Sequence, residues 1–281
     1  MAGISLTGDA FFYVNTLESD GSTPFSFGAA GRSPWFSTAC CPSNLARLVP
    51  QVSGMMYASK SDQIFTSFYA GSSVVIPLEE GNVYIEQKTA YPFDGLIDLM
   101  IKSEDELSFA LNLRIPTWAG NQLVPGELYQ YLNSREVKPE ISVNGKAVSF
   151  EVENGFAVIK RKWATGDKVT LNLNMHSRFN KAIDFIEANR GRLAVSRGPL
   201  VYCAEGVDHD FQLSDVMLKS EAEEISVESI GSGILKGIPS IKVKGTYRVD
   251  ETDKEVGLQM IPYYSWNNRG NSPMFVWIKE K

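Results

Sequence analysis

Histidine, cysteine and long apolar runs are what this 281-residue chain has least of: two histidines, three cysteines, and no apolar window of the ~18 residues that a membrane-spanning helix needs. Three thiols are an odd count and far too few for a disulfide scaffold. Lys/Arg-rich runs are missing too, and the net charge is −6 with a pI of about 5.2. A nucleic-acid or anionic-membrane partner therefore has no electrostatic footprint here. The opening "MAGISLTGDAFFYVNTLES" has neither a basic n-region nor an apolar h-region, so it does not read as a secretory signal. Helix is scarce as well. What remains, at 43% hydrophobic residues, is ample for packed cores and too apolar for disorder.

Residues 1–8 read as the tail of a helix followed by a turn, and "AFFYVNTL" as a strand. Residues 19–34, rich in Gly, Ser and Pro, read as a loop. Ser43 or Asn44 is placed to cap a helix, whose apolar face carries Leu45, Leu48, Val49, Val52 and Met56. Pro50 should kink or shorten it. One amphipathic helix cannot bury itself, so this face should fold back on the rest, self-associate or stay disordered.

From Asp62 the texture changes to short alternating runs such as "GLIDLMIKS" and "GFAVIKRKW", separated by turn chemistry such as "VNGK" and "ENG". Strands at about 8–12-residue spacing argue for antiparallel sandwiches. A short helical linker is expected near "SRFNKAIDFIEANRG". A second β set follows it, whose last strand, "FVWIKEK", has the option of returning to the first sandwich. The fold class is mainly β, in three parts: 1–60, 61–180 and 181–281.

Cys40 and Cys41 stand side by side just before the helix. A helix N-terminus favours the thiolate. A thiolate is both a zinc ligand and a competent nucleophile. The other reading is a buried structural pair, and the residues alone leave both open. Further ligands are hard to find, because Cys203, His176 and His209 all lie more than a hundred residues away in or near β segments. Cys203 reads as a buried inert thiol, and the two histidines as solvated or locally hydrogen-bonded. Trp118 and Trp163 read as packing or, less simply, as sugar-stacking platforms. Arg197 reads as part of a turn entering a strand, and the acidic run 220–228 as a solvated edge or loop.

The string "FFYVNTLES…WFSTACCPSNLARL" resembles the end of the catalytic domain of family 127 glycoside hydrolases, the β-L-arabinofuranosidases. That family reads F-Y-V-N-P-L-E, then W-x(4)-C-C-P-x-N-x-x-R. Here the positions are Phe12, Tyr13, Val14, Asn15, Thr16, Leu17 and Glu18, then Trp35, Cys40, Cys41, Pro42, Asn44 and Arg47, with Thr16 replacing the proline. "YPFDG", "LRIPTWA", "VNGK", "KWATGD", "RGPLVYCAE" and "YYSWNNRG" extend the likeness through nearly the whole chain.

The resemblance implies an (α/α)6 barrel, of which residues 1–60 would be the last strand and helix, followed by two jelly-roll-like β-sandwiches. It implies a retaining exo-glycosidase that removes terminal arabinofuranosyl residues. Cys40 would be the catalytic nucleophile, and Cys40 and Cys41 would be zinc ligands. Tyr13 would face the sugar. The substrate class would be a plant-type arabinose-containing oligosaccharide or glycoprotein glycan, in a bacterial cytoplasm or periplasm. The family's remaining zinc ligands, a Glu and a Cys, and its acid/base Glu lie upstream of this stretch. The chain alone is therefore expected to be inactive, with the N-terminal barrel as its missing partner. The alternative is a non-catalytic sandwich module that binds carbohydrate or braces a barrel.

Overall fold

The computed structural model describes residues 3–38, 40–132, 138–219, 226–249 and 252–281. The chain divides into two compact units. One comprises 44–125 and 135–176, the other 1–43, 126–134 and 177–281. Strand dominates both, and helix α1 (Cys40–Val52) is the one α-helix among the described residues.

The 44–176 unit is two sheets over one core. The first sheet runs, in hydrogen-bonded order, Lys146–Ala147, Glu140–Val143, Lys168–Asn172, Leu96–Lys102, Gly81–Thr89 and Ser72–Leu78. The second runs Glu151–Glu153, Phe156–Trp163, Leu107–Arg114, Gln63–Thr66 and Tyr57–Lys60. Period-two burial sets the faces. In Leu96–Lys102 the inward residues are Ile97, Leu99 and Ile101, all fully buried, and they meet Phe109, Leu111 and Leu113 of the second sheet. The turns follow their residues: Asn144–Gly145 and Asn154–Gly155 all have positive φ and close two-residue hairpins.

Both candidate stacking tryptophans are core residues. Trp163 is fully buried, stacks on Phe109 and donates its indole N–H to the Phe109 carbonyl at 3.0 Å. Trp118 is buried beside Tyr91. Neither offers a free face to a sugar.

In the other unit the pairing closes on itself. It passes from Leu200–Glu205 through Thr252–Pro262, Pro239–Val249, Val216–Leu218, Ile278–Glu280 and Arg192–Arg197, and back to Leu200–Glu205. Alternate residues therefore point to two cores. Leu193, Val195, Tyr202, Ala204, Leu258 and Met260 face one. Ala194, Cys203 and Ile261 face the other, together with Trp266, Trp277 and, from far away in sequence, Phe12.

Several expectations are corrected. Residues 3–17 form neither a helix tail nor a regular strand. They make bridges at Ile4–Phe11 and Phe11–Ser33 and lie over the second core, because Phe12 finds its partners there rather than in a ladder. The expected helical linker is instead the strand Ser177–Ala182 followed by a single 3-10 turn at Glu187–Asn189. It pairs on both sides, and Phe179 packs into the first core. The last strand stays in its own unit, against Arg192–Arg197 and Val216–Leu218.

Helix α1 begins at Cys40, three residues before the expected cap. Pro42 fits a first turn, where no N–H is needed, and Ser43 donates back to the Cys40 carbonyl at 3.0 Å. The helix passes Pro50 and tightens to 3-10 at Ser53–Met55. Its expected apolar face is only partly covered: Met56, just past it, is buried and Leu45 half-buried, whereas Leu48, Val49 and Val52 are 39–51% exposed. Cys203 is fully buried as expected. The acidic run lies partly outside the described residues, and its end, Val227–Ser229, is an exposed edge strand. No helix among the described residues is long and apolar enough to cross a membrane.

Phe12 should carry much of the second core. Phe12→Ala is expected to destabilise its unit by about 3–5 kcal/mol, read as a lower urea midpoint. A change below about 1 kcal/mol would show that residues 3–17 are not integral to it.

Candidate active site

The site is built on one buried clamp. Phe12 stacks on Trp266 with ring centroids 4.8 Å apart and an interplanar angle of 17°. The Arg32 guanidinium sits 4.3 Å over the opposite partner, the Phe12 ring centre. Arg32 also donates Nε to the Gly3 carbonyl at 3.1 Å and a terminal nitrogen to the Trp266 carbonyl at 2.5 Å. Burial pulls its pKa down to about 10, against the attraction of Glu205, so it stays charged at neutral pH. Gly31 lies close beside it, and a Cβ there would force the Asn271 side chain to shift.

The "YYSWNNRG" loop supplies the rest of the clamp. Tyr263 donates to the Thr16 carbonyl at 2.6 Å, and Asn268 Oδ1 accepts from Leu6 N–H at 2.9 Å. Arg269 ties the loop down by gripping Asp208 with both terminal nitrogens at 2.6 Å and Glu205 at 2.5 Å. Trp266 and its neighbours were legible only as a family signature. Their physical role is to hold a segment some 250 residues earlier in the chain.

Next to Phe12 comes Tyr13. Fully buried Ser26 accepts from Tyr13 N–H at 2.8 Å and from Val14 N–H at 3.2 Å, which fixes the backbone there. Ser26 pairs with Ala29 around a turn in which Phe27 and Gly28 both have positive φ. Phe27, an unusual residue for that conformation, packs its ring 4.2 Å from Tyr13. Phe36 adds an edge contact at 5.8 Å. The Tyr13 hydroxyl then lies 3.2 Å from Cys40 Sγ. Sequence reading picked Tyr13, Cys40 and Cys41, and the structure brings all three together. It missed Phe27, Phe36 and Ser26, which a lone aromatic or serine in a glycine-rich loop does not announce.

Cys40 is exposed in the first turn of α1, and Cys41 is half-buried, with the two sulfurs 3.9 Å apart. The Tyr13 hydrogen bond, then the Cys41 thiol, lower the Cys40 pKa below its ordinary value. Desolvation, then the neighbouring Cys40, raise that of Cys41. The Tyr13 phenol is raised by the same hydrogen bond. An exposed thiol with a lowered pKa, held against a phenol, is thus in place.

The donor set also fits part of a metal site. Two thiolates bound to tetrahedral zinc at about 2.3 Å lie roughly 3.8 Å apart, close to the 3.9 Å seen here. Among the described residues no group of three or more His, Cys, Asp and Glu comes together. His209 instead bonds the Gln259 carbonyl at 3.1 Å, as a locally satisfied histidine does.

Cys40 should therefore alkylate with iodoacetamide at neutral pH, with its rate rising through a midpoint below the ordinary thiol value. Tyr13→Phe removes the hydrogen bond to the thiolate, so it should move that midpoint upward and slow the reaction at pH 7. An unchanged profile would remove Tyr13 from the site.

Models of three domains match the chain in succession. They are the β-L-arabinofuranosidase GH127 catalytic domain over residues 1–54, the GH127 middle domain over 63–175 and the glycoside hydrolase family 127 C-terminal domain over 177–279. A non-reducing end β-L-arabinofuranosidase of Bifidobacterium longum subsp. longum is 28% identical over 96% of this chain and 42% of its own length. A solved GH127 β-arabinofuranosidase superposes with a TM-score of 0.91 at 36% identity, covering 100% of this chain and 43% of that one. A GH127 β-L-arabinofuranosidase from Geobacillus stearothermophilus gives 0.85 at 32%, covering 100% and 44%. The chain thus spans less than half the length of these relatives. With the three domain models in the family's own order and the Cys-Cys pair at the end of the first, this chain belongs to glycoside hydrolase family 127.

Proposed function

We propose that this chain provides the nucleophile side of a retaining β-L-arabinofuranosidase site. The observation that carries this is the exposed Cys40 sulfur at a helix N-terminus, 3.2 Å from the Tyr13 hydroxyl. Cys40 Sγ attacks the anomeric carbon of a terminal arabinofuranosyl unit as the bond to the aglycone oxygen breaks. That oxygen takes a proton from an acid outside the described residues. Water, giving a proton back to that same group, then displaces the sulfur at the same carbon, so two inversions restore the starting configuration. Tyr13 holds the thiolate in place before attack and takes up the sulfur again when it departs.

Cys40 and Cys41 would hold a zinc ion, which when bound keeps thiols ionised at neutral pH. Two thiols are an incomplete set for it. The chain on its own is accordingly a poor zinc binder and does not turn over. The missing acid and ligands would come from an N-terminal barrel of the kind the resemblance implies.

A second reading, a bracing module, is favoured by one observation. The clamp of Arg32, Phe12 and Trp266 fastens the catalytic-domain segment to the C-terminal domain. The two readings are compatible, since a braced segment is also a positioned one.

The test is complementation with the N-terminal domain of the Bifidobacterium relative. Hydrolysis of an aryl β-L-arabinofuranoside should appear only with both parts and zinc, and Cys40→Ser should lower it by at least 10³-fold, as expected for loss of a nucleophile. Hydrolysis that survives Cys40→Ser would refute the assignment.

A further inference from the structure

A concave feature lies on the C-terminal unit; its lining includes none of Tyr13, Cys40 and Cys41, though Arg269 and Asn271 also belong to the loop behind the clamp. It is an open cleft of about 510 Å³, within the roughly 300–1,000 Å³ typical of small-molecule sites. Its chemistry comes from His209, Asp210, Phe211, Gln212, Arg269 and Asn271.

The walls are fixed in advance. Gly206 N–H donates to the Pro273 carbonyl at 2.7 Å, and a Cβ at Gly206 would meet Pro273 Cδ at 2.9 Å. Arg269 is locked by Asp208 and Glu205. The His209 ring lies against Phe211, centroids 4.9 Å apart, and Phe211 against Tyr247 at 5.3 Å. A rigid wall loses little entropy on binding.

The polar groups define the ligand. His209 Nε2 faces the Gln259 carbonyl, which can only accept, so Nε2 carries the proton and Nδ1 is an acceptor. Burial lowers the His209 pKa, which keeps the ring neutral. The side-chain amides of Gln212 and Asn271, both exposed, add donors and acceptors. Arg269 Nε is buried and has no partner among the described residues. The single positive charge of Arg269 is outnumbered by Glu205, Asp208 and Asp210. An anion is therefore repelled. Mixed donors and acceptors beside an aromatic wall, with no net positive charge, suit a neutral polyhydroxylated ring.

We infer that this cleft is a saccharide-binding subsite, taking one neutral furanose or pyranose unit of a glycan chain. It goes beyond the thiolate chemistry and needs neither Cys40 nor zinc. It would hold a branched or polymeric substrate near the enzyme through a sugar other than the one being cleaved.

Titration of the full chain with arabinotriose, followed by saturation-transfer NMR and calorimetry, tests this, with trigalacturonate as the anionic counterpart. Saturable arabinotriose binding is expected, unchanged in Cys40→Ala and weakened about tenfold or more in Phe211→Ala. Phe211 also packs on the first core, so the exposed Gln212→Ala serves as the variant that leaves folding intact. It too should weaken binding several-fold. Absent binding, binding undiminished in Gln212→Ala, or trigalacturonate bound as tightly as arabinotriose would each overturn the subsite. Loss of arabinotriose binding in Cys40→Ala alone would overturn it as well, by placing the bound sugar at the thiol.

Discussion

The Arg32 guanidinium, half-buried between a phenylalanine ring and two carbonyl oxygens, is the contact on which the site depends. A charged group is costly to desolvate unless it is fully used. Here the ring of Phe12, the carbonyls of Gly3 and Trp266 and the field of Glu205 use it. The result is that residues 3–36, which have almost no secondary structure of their own, take one conformation on a β scaffold. Tyr13 follows Phe12 directly, so the geometry of the clamp becomes the geometry at Cys40.

That arrangement explains how an exposed thiol with a lowered pKa is held beside all-β domains. A helix end and a tyrosine make one of two adjacent thiols the more acidic. They do so only if the tyrosine cannot swing away. Ser26, Phe27 and Phe36 restrain its backbone and ring. The C-terminal domain contributes through Trp266, without placing any group at the sulfur itself. Its loop is anchored in turn by Arg269 on Glu205 and Asp208. A polar network beside the closed sheet thus bears on the segment that carries Tyr13.

Much of this was legible in the sequence, and the reasons for the remainder are physical. Alternation gave the strands of the 44–176 unit because each has one wet face and one dry face, as Ile97, Leu99 and Ile101 show. Asn-Gly pairs gave the hairpins because only such residues tolerate successive positive φ. The same local rules failed at residues 3–17 and 177–191. There the conformation is set by distant partners, Trp266 for Phe12 and the first core for Phe179. The Cys40, Cys41 and Tyr13 trio was visible as a motif, whereas the clamp behind it was not, since Arg32 and Trp266 are 234 residues apart. Helix α1 forms although Leu48, Val49 and Val52 of its apolar face stay exposed, with Met56 the one member buried.

The central claim is that the clamp tunes the nucleophile from a distance. The most direct measurement is peptide mapping of the three thiols after brief alkylation at pH 7, in the wild type and in Arg32→Ala. The account predicts the order Cys40, then Cys41, then Cys203 in the wild type, with the lead of Cys40 over Cys41 collapsing in the variant while Cys203 stays protected. Equal labelling of Cys40 and Cys41 in the wild type, or a lead that persists in Arg32→Ala with the fold intact, would contradict it.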